Sequence, residues 1–218
     1  MNYHIRILNY LIFRHNYKTY LEIGLGDPLS SFIEIMAPNK ESCDPYVNRE
    51  LTPIINKYLT YHMTSDDMFA NMDKDKKYDL IFVDGLHDAK QVLKDIFNSL
   101  KHINDNGLIV VHDCLPKHEY WAEPVFNNDN PARKLSNGLF DGTYNGTTWK
   151  VLPVLEALGV KFETVDVEYG LALIRPQKLS FEYSGEYADT EWNEVFCDEA
   201  TRNDRLHVID EETFLNNY

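Results

Sequence analysis

The chain has 218 residues, of which 35 are acidic and 21 are lysine or arginine, so the formal net charge is −14. Its composition, 44% hydrophobic and 26% charged, is that of a globular protein with one core, which excludes disordered and fibrous classes. A strongly acidic surface repels phosphate groups. The sequence therefore predicts neither a nucleic-acid partner nor a membrane partner.

The acidic residues are concentrated near the C-terminus. Residues 179–218 hold 11 acidic and 2 basic side chains, whereas residues 1–178 hold 24 and 19. The last forty residues are also rich in aromatic side chains, which is atypical of a solvated spacer. We therefore predict one domain over residues 1–178, followed by an acidic, aromatic-rich extension at 179–218 that packs on it.

Three cysteines occur, Cys43, Cys114 and Cys197. Their number is odd and their spacing matches no CxxC or Cys/His metal pattern, so neither a disulfide framework nor a zinc site is indicated. A reducing, cytoplasmic location is expected.

The first predicted element is a helix within residues 1–17, because Ile5, Leu8 and Ile12 share one helical face. From Lys18 onward, short apolar runs alternate with helical stretches, which is typical of parallel α/β sheets. The predicted strands are 19–24, 40–44, 58–63, 78–85, 108–114 and a closing pair within 161–176, and the clearest helices are 88–102 and 147–159. This order predicts a doubly wound, mostly parallel sheet.

Residues 115–146 show little periodicity and are rich in Asn, Gly and Pro, so they are predicted to form a long loop. Loops of this length in compact domains are usually functional. Tyr120, Trp121 and Phe126 in this loop could stack on a sugar ring, or they could simply anchor the loop.

Polar or glycine residues follow every predicted strand of the first half. In a doubly wound sheet, ligands bind at the carboxyl ends of the strands, so these residues are candidates for a shared pocket. They are Glu22, Gly24, Gly26, Asp44, Ser65, Asp66, Asp84, His87, His112 and Asp113.

The loop after the first strand indicates a nucleoside-containing cofactor. Gly24 and Gly26 allow close backbone approach, and Asp44 follows Gly26 by 18 residues, a spacing suited to a ribose diol. The third glycine of a pyrophosphate loop is replaced by the 27–29 stretch, whose Asp27 would repel phosphate. Adenosylmethionine is cationic and has no phosphate, so it suits this loop better. The alternative is that Asp44 only caps the turn at Pro45.

Several longer motifs resemble one family. They are YLEIGLG (20–26), CDP (43–45), MTSDDMF (63–69), the whole stretch 78–116, TTWK (147–150) and LHVIDEETF (206–214). The sequence resembles the class I S-adenosylmethionine-dependent methyltransferases, and within them the methyltransferase family 24 group. The resemblance implies a seven-stranded Rossmann-like sheet with an antiparallel last strand, and O-methylation of a sugar, a glycan precursor or another small hydroxylated molecule.

The resemblance also implies roles for the cofactor residues. Glu22, Gly24 and Gly26 would hold the methionine part of the cofactor, and Asp84 would lie beside it. Asp44 would bind the ribose hydroxyls, and the pair Ser65 and Asp66 would contact the adenine end.

Transfer of a methyl group to a hydroxyl needs a proton acceptor. His87 is the leading candidate because imidazole titrates near neutral pH, and Asp84 and His112 are expected to act with it. The alternative for His87 is that it caps the helix beginning near Asp88. In related enzymes, acids at these strand ends hold Mg²⁺, so Asp84 and Asp113 are the expected ligands.

The chain departs from that metal pattern, since His112 is a poor magnesium ligand and Cys114 stands where an amide side chain is expected. A hydrogen-bonded His–Asp pair without metal therefore stays open. His112, Trp149 and Lys150 are predicted to face the acceptor; for Trp149 and Lys150 the alternative is a core tryptophan beside a lysine whose stem is buried.

Two other functions remain open on the sequence alone. One is a nicotinamide-dependent oxidoreductase on a similar sheet, and the other is a non-catalytic subunit that binds adenosylmethionine. The sequence also leaves the acceptor and the oligomeric state open, a homo-oligomer included.

Overall fold

A computed structural model describes residues 2–29, 31–46, 52–123, 144–186 and 188–218. Its helices are α1 (Tyr3–His15), α2 (Thr52–Tyr58), α3 (Ser65–Asn71), α4 (Ala89–His102), α5 (Val151–Ala157), α6 (Trp192–Val195), α7 (Glu199–Arg205) and α8 (Glu211–Asn217). Its strands are β1 (Thr19–Ile23), β2 (Asn39–Cys43), β3 (Tyr78–Val83), β4 (Ile103–Val111), β5 (Glu163–Val165), β6 (Leu171–Ile174) and β7 (Val208–Ile209). Short 3₁₀ turns lie at Phe32–Glu34, Glu119–Trp121 and Thr148–Lys150.

The strands form one sheet in the order β2-β1-β3-β4-β6-β5-β7. Only β6 runs antiparallel to its neighbours, β4 and β5, so six of the seven described strands share one direction. This confirms the predicted doubly wound, mostly parallel sheet, in which the last strand of the predicted series is antiparallel. The carboxyl ends of β1, β2, β3 and β4 therefore meet at one edge.

One predicted strand is wrong. Residues 58–63 begin with the last residue of α2, and only Tyr61 bridges to the sheet, at Cys43. The chain then turns at Thr64, whose side chain accepts a hydrogen bond from the Asp67 N–H and caps α3. The seventh strand comes instead from β7, which adds to β5 in parallel.

The fifth predicted strand begins earlier than expected. β4 starts at Ile103, directly after α4, and includes the polar run 104–107 that separates the predicted helix at 88–102 from the predicted strand at 108–114. The pairing of β4 with β3 shifts register between Tyr78 and Leu80 at this point. Asn104 lies in the irregular part and donates a hydrogen bond to Asp79.

Alternation along the strands divides the core into two layers. On β3, Leu80 and Phe82 face one side of the sheet and pack with α1, while Ile81 and Val83 face the other side and pack with α4 and α5. All four are almost fully buried, which explains why the strand reads as a continuous apolar run. None of the helices in the described ranges is long and apolar enough to span a membrane.

The C-terminal residues contact both layers. Trp192 and Phe196 stack on each other and meet the edge of Trp149 on one face, and Phe214 is fully buried against Tyr10 on the other. Together with β7, these contacts join residues 179–218 to the sheet. The boundary at residue 178 stays a prediction, and Tyr187 lies outside the described residues.

Candidate active site

A cavity of about 460 Å³ lies at the carboxyl ends of the first strands. Five of the residues proposed from the sequence line it: Gly24, Gly26, Asp44, Ser65 and Asp84. They come from the loops after three adjacent strands and from the start of α3, so the doubly wound topology brings them together as expected.

The glycine loop is shaped by contact with the loop after β3. Gly24 has φ +95°, and a Cβ at this position would lie 2.1 Å from the Asp84 carbonyl oxygen. The Gly26 N–H donates to Oδ2 of Asp44 at 3.0 Å, and the Tyr46 N–H donates to Oδ1 at 2.7 Å. Asp44 therefore holds its own turn and also lines the cavity, and its contact with a ribose stays a prediction.

Glu22 lies beneath the cavity and does not line it. It is almost completely buried, and its carboxylate accepts hydrogen bonds from Tyr20 at 2.5 Å and Ser31 at 3.3 Å. Burial raises the pKa of Glu22 to about 8, and the nearby Asp84 carboxylate adds to the shift. Glu22 is thus protonated in the folded protein at neutral pH.

Asp66 also lies away from the cavity. Its carboxylate binds Lys94 at 2.7 Å and Gln91 at 3.0 Å on the α4 surface. Its neighbour Ser65 does line the cavity and accepts a hydrogen bond from Gln91 at 3.1 Å. Of the two residues expected near adenine, only Ser65 lines the cavity.

The lining residues that were not predicted include Asn2, His4, Gln91 and Asp95. Asp95 is a carboxylate within the apolar face of α4, and burial raises its pKa to about 6. An acidic residue on the apolar face of a predicted helix could have been noticed in the sequence, because a carboxylate at a core position requires a structural or functional explanation. Asn2 and His4 carry no comparable signal, since only tertiary packing brings α1 to this edge.

Two histidines and two aspartates form a compact cluster beside the cavity. Oδ1 of Asp84 lies 3.3 Å from Nε2 of His87 and 3.2 Å from Nδ1 of His112. Oδ2 of Asp113 lies 3.1 Å from Nδ1 of His87. The structure thus brings together all four residues proposed from the ends of β3 and β4.

Opposite charges on the carboxylates and imidazoles of this cluster stabilise each other. Burial disfavours ionisation of Asp84, but the imidazoles of His112 and His87 outweigh it and lower the pKa of Asp84. Burial likewise opposes protonation of the two histidines, yet the neighbouring carboxylates raise the pKa of both. For Asp113, burial is the larger effect and raises its pKa.

The backbone around the cluster is held in the left-handed region. His87 has φ +56° and Asp113 has φ +61°, conformations that are uncommon for non-glycine residues and frequent at functional sites. The helix cap is Asp88, whose side chain accepts from the Gln91 N–H. The capping alternative for His87 is therefore wrong.

A segment after the long loop supports the cluster. The Asn145 side-chain amide donates to Oδ1 of Asp113, and the Thr147 N–H donates to the His87 carbonyl at 2.9 Å. Gly146 lies so close that a Cβ there would be 2.1 Å from the same carbonyl oxygen. Neither Asn145 nor Gly146 was among the residues proposed from the sequence.

The predicted acceptor residues Trp149 and Lys150 have other contacts. Trp149 is almost fully buried between Trp192 and Phe196, and Lys150 forms an ion pair with Asp189 at 2.6 Å. Neither residue lines the cavity. For both residues, the structure matches the alternative of a core tryptophan beside a lysine with a buried stem.

Two of the loop aromatics have defined positions. Tyr120 stacks on His118, and the Trp121 carbonyl accepts N–H groups of Asn145 and Gly146. Trp121 therefore anchors the segment that supports the cluster. Phe126 lies outside the described residues.

A family model described as "Methyltransferase domain", of methyltransferase family 24, matches residues 21–114. The match begins in β1 and ends just after Asp113, so it includes the glycine loop and all four residues of the cluster. The chain is an S-adenosylmethionine-dependent methyltransferase whose residues 21–114 match this family. A comparison with curated protein sequences finds no match.

Solved structures share the fold of this methyltransferase. One is a candidate caffeoyl-CoA O-methyltransferase from Staphylococcus aureus, with 18% identity and a TM-score of 0.54 over 80% of this chain and 84% of that chain. Another is the S-adenosylhomocysteine-bound methyltransferase PaMTH1 from Podospora anserina, with 16% identity and a TM-score of 0.50 over 80% and 78%. A third, an O-methyltransferase family protein from Burkholderia thailandensis, has 12% identity and a TM-score of 0.51 over 82% and 56%. At these identities the likeness shows the fold.

Proposed function

We propose that this methyltransferase transfers a methyl group from S-adenosylmethionine to a hydroxyl of a sugar or another small molecule, in the cytoplasm. The observation that carries the proposal is the contact between the cofactor cavity and the histidine–aspartate cluster, which share Asp84. A methyl donor and a proton acceptor are thus adjacent at one edge of the sheet. The three free cysteines agree with a reducing compartment.

The lining of the cavity suits a cationic cofactor without phosphate. Asp44 and Asp95 contribute carboxylates to the lining, and Asp84 lines the cavity on the side of the histidine–aspartate cluster. Gly24 and Gly26 let the methionine part approach the backbone, while Asp44 accepts hydrogen bonds from the ribose hydroxyls. Fixed carboxylates in a partly enclosed site repel a pyrophosphate, which argues against a nicotinamide cofactor.

The reaction requires one proton acceptor. The acceptor oxygen forms a bond to the methyl carbon while the carbon–sulfur bond breaks, and the electron pair of that bond stays on sulfur as S-adenosylhomocysteine. The hydroxyl proton passes to neutral His87, and the carboxylates of Asp84 and Asp113 stabilise the resulting imidazolium. Asn145 holds Asp113 in place for this task.

The donor set near the cluster also fits a magnesium ion. Asp84 and Asp113 offer carboxylate oxygens, and Oδ1 of Asn145 is buried without a hydrogen-bond partner. An amide oxygen is a ligand that magnesium accepts, so Asn145 could replace the amide expected at Cys114. Bound there, the ion would lower the pKa of the acceptor hydroxyl.

An oxygen acceptor is favoured by the neighbours. The Staphylococcus and Burkholderia proteins are described as O-methyltransferases. A sugar acceptor rests on the sequence resemblance, and the acidic cluster suits an acceptor that carries no negative charge.

The cofactor assignment is tested by calorimetry with S-adenosylmethionine, S-adenosylhomocysteine and NADH. We expect Asp44→Ala to weaken binding of S-adenosylhomocysteine by about 10- to 100-fold, because hydrogen bonds to a charged group contribute roughly 1.5–3 kcal/mol. Asp105→Ala, an exposed position in β4, is the control and should bind like the wild type. Binding of NADH in place of S-adenosylhomocysteine would contradict the proposal.

The proton acceptor is tested by single-turnover methyl transfer to a panel of sugars and sugar nucleotides. Loss of general-base catalysis typically costs ~10²–10⁴ in rate, and we expect His87→Ala to fall in that range with its S-adenosylhomocysteine affinity unchanged. His62→Ala removes an exposed histidine and serves as the control. A loss below about tenfold would refute the role of His87, whereas tight cofactor binding without turnover across the panel would favour a non-catalytic subunit.

A further inference from the structure

We propose that His4, His112 and Glu168 form a binding site for a divalent transition metal of the zinc type, at the wall of the cofactor cavity. The three residues come from α1, from the end of β4 and from the turn between β5 and β6. Their ligand atoms all lie within 4.8 Å of one another. Nothing in the proposed methyl transfer requires this site, so the inference stands apart from that proposal.

The state of His112 is the first argument. Its Nδ1 lies 3.2 Å from Oδ1 of Asp84, while its Nε2 is buried without a hydrogen-bond partner. When Nδ1 carries the hydrogen, Nε2 presents a lone pair. A histidine that donates one ring N–H to a carboxylate and offers its other nitrogen is the usual arrangement of a metal ligand. Asp84 would thus orient His112 toward the metal.

Glu168 supplies a fixed carboxylate opposite that nitrogen. Its backbone has φ +51°, and its carboxylate accepts N–H groups of Tyr3 at 3.0 Å and His4 at 3.2 Å, which holds it at the first turn of α1. Oε2 lies 2.7 Å from Nδ1 of His4 and 3.6 Å from Nε2 of His112. One oxygen therefore faces two imidazoles.

The spacing suits zinc after small shifts. Zinc binds imidazole nitrogen at about 2.0–2.1 Å and carboxylate oxygen at about 2.0–2.2 Å in a tetrahedron, so neighbouring ligand atoms are separated by about 3.3 Å. The two observed oxygen–nitrogen separations, 2.7 and 3.6 Å, bracket that value. The His4 ring is also held in place, since it stacks on Phe82 at 5.8 Å with an interplanar angle of 13°.

Ligand chemistry separates this site from the neighbouring one. Two imidazoles and one carboxylate favour zinc and similar ions, whereas the oxygen donors of Asp84, Asp113 and Asn145 favour magnesium. His4 lines the cofactor cavity, which provides an entry path. A bound ion would fasten the first turn of α1 to the end of β4.

The test uses the full chain after treatment with a chelator, followed by calorimetric titration with Zn²⁺ and, separately, Mg²⁺. We expect one Zn²⁺ per chain and a melting temperature that rises with Zn²⁺ concentration. His4→Ala should weaken Zn²⁺ binding at least about 100-fold, since it removes a direct ligand. Co²⁺ should give a visible absorption band in the wild type that His4→Ala lacks.

Three further variants exclude other sources of binding. Asp95→Asn changes a buried carboxylate elsewhere in the cavity, Cys197→Ser removes an exposed thiol, and His102→Ala removes a buried histidine on α4. All three should keep Zn²⁺ binding. The proposal is overturned if Zn²⁺ does not bind, or if His4→Ala binds it as tightly as the wild type. In that case the three residues form a hydrogen-bonded cluster only.

Discussion

Two aspartates at opposite ends of β3 show how the two edges of this sheet differ. Asp79, at the amino end, accepts hydrogen bonds from the Lys18 N–H, the Thr19 N–H, the Thr19 hydroxyl and the Asn104 amide, at 2.7–3.0 Å. Asp84, just beyond the carboxyl end, faces the imidazoles of His87 and His112. The first carboxylate is surrounded by neutral donors, and the second by groups that can themselves gain or lose a proton.

This difference distinguishes Asp79, a carboxylate that stabilises the fold, from Asp84, a carboxylate of the candidate active site. Neutral fixed donors lower the pKa of Asp79 despite its partial burial and leave it nothing further to bind. Around Asp84 the backbone adopts left-handed conformations, and buried polar atoms such as Oδ1 of Asn145 lack partners. Unsatisfied groups and strain cost stability, so they persist where function requires them.

The largest expected effect concerns Glu22, which lies beside Asp84 at the site end. Its pKa is about 8 in the folded protein against 4.5 ordinarily. Between these values the folded state holds a proton that the unfolded state has lost, so stability falls as pH rises. Since one pKa unit corresponds to about 1.4 kcal/mol, the free energy of unfolding should drop by roughly 4 kcal/mol from pH 5 to pH 8 through this residue.

Urea denaturation of the apoprotein at pH 5 and pH 8 measures this drop. Glu22→Gln should remove most of it. The control is Glu41→Gln, because ion pairing and hydrogen bonds with Lys76 and Tyr78 outweigh burial and lower the pKa of Glu41, so its stabilisation is lost only as pH falls. Equal pH dependence of wild type and Glu22→Gln would contradict the burial argument.

The next effect concerns the backbone at the site end. Gly146→Ala should destabilise the protein by about 3 kcal/mol, because the new methyl group overlaps the His87 carbonyl and because positive φ costs an alanine about 1–2 kcal/mol. Gly159 has a similar φ, +71°, but open space around it. Gly159→Ala should therefore lose only the stability that positive φ costs an alanine. Melting curves of the two variants test this. Similar losses in both would show that the close contact with His87 is unimportant.

The smallest expected effect compares the two aspartates directly. Asp79→Ala should lose about 2 kcal/mol, since it leaves several donors without their acceptor. Asp84→Asn should lose less than about 1 kcal/mol, because each imidazole can release its proton, while methyl transfer should fall strongly. Chemical denaturation and single-turnover methyl transfer on both variants measure the contrast. A larger loss of stability in Asp84→Asn would mean that the cluster is mainly structural.

The fold was largely predictable because it depends on local patterns. The apolar run of β3 and the helical spacing of Val92, Leu93 and Ile96 in α4 both match the structure. The strand expected at 58–63 failed because its apolar residues pack against the core without forming a ladder; Tyr61 alone bridges to β2. Alternation of apolar and polar residues with a period of two indicates that alternate side chains are exposed. A loop that passes a sheet edge can show the same alternation as a strand.

The candidate site was predictable only in part, for a related reason. Strand ends are visible in a sequence, so Asp44, Asp84, His87 and Asp113 could be named in advance as neighbours at one edge. The contributions of His4 and Asn145 come from segments far away along the chain, and no local pattern marks them. Trp149 illustrates the converse, because its motif indicated the acceptor pocket whereas its ring lies in the core.

The sequence alone determined the sheet type, the family resemblance and the residues at the strand ends, because periodicity and motif spacing are local properties of the chain. Tertiary structure decided which of those residues line the cavity, how the histidines pair with the aspartates, and that α1 closes the site through His4 and Glu168. These outcomes depend on contacts between residues up to 165 positions apart, which only the packed fold brings within hydrogen-bond distance.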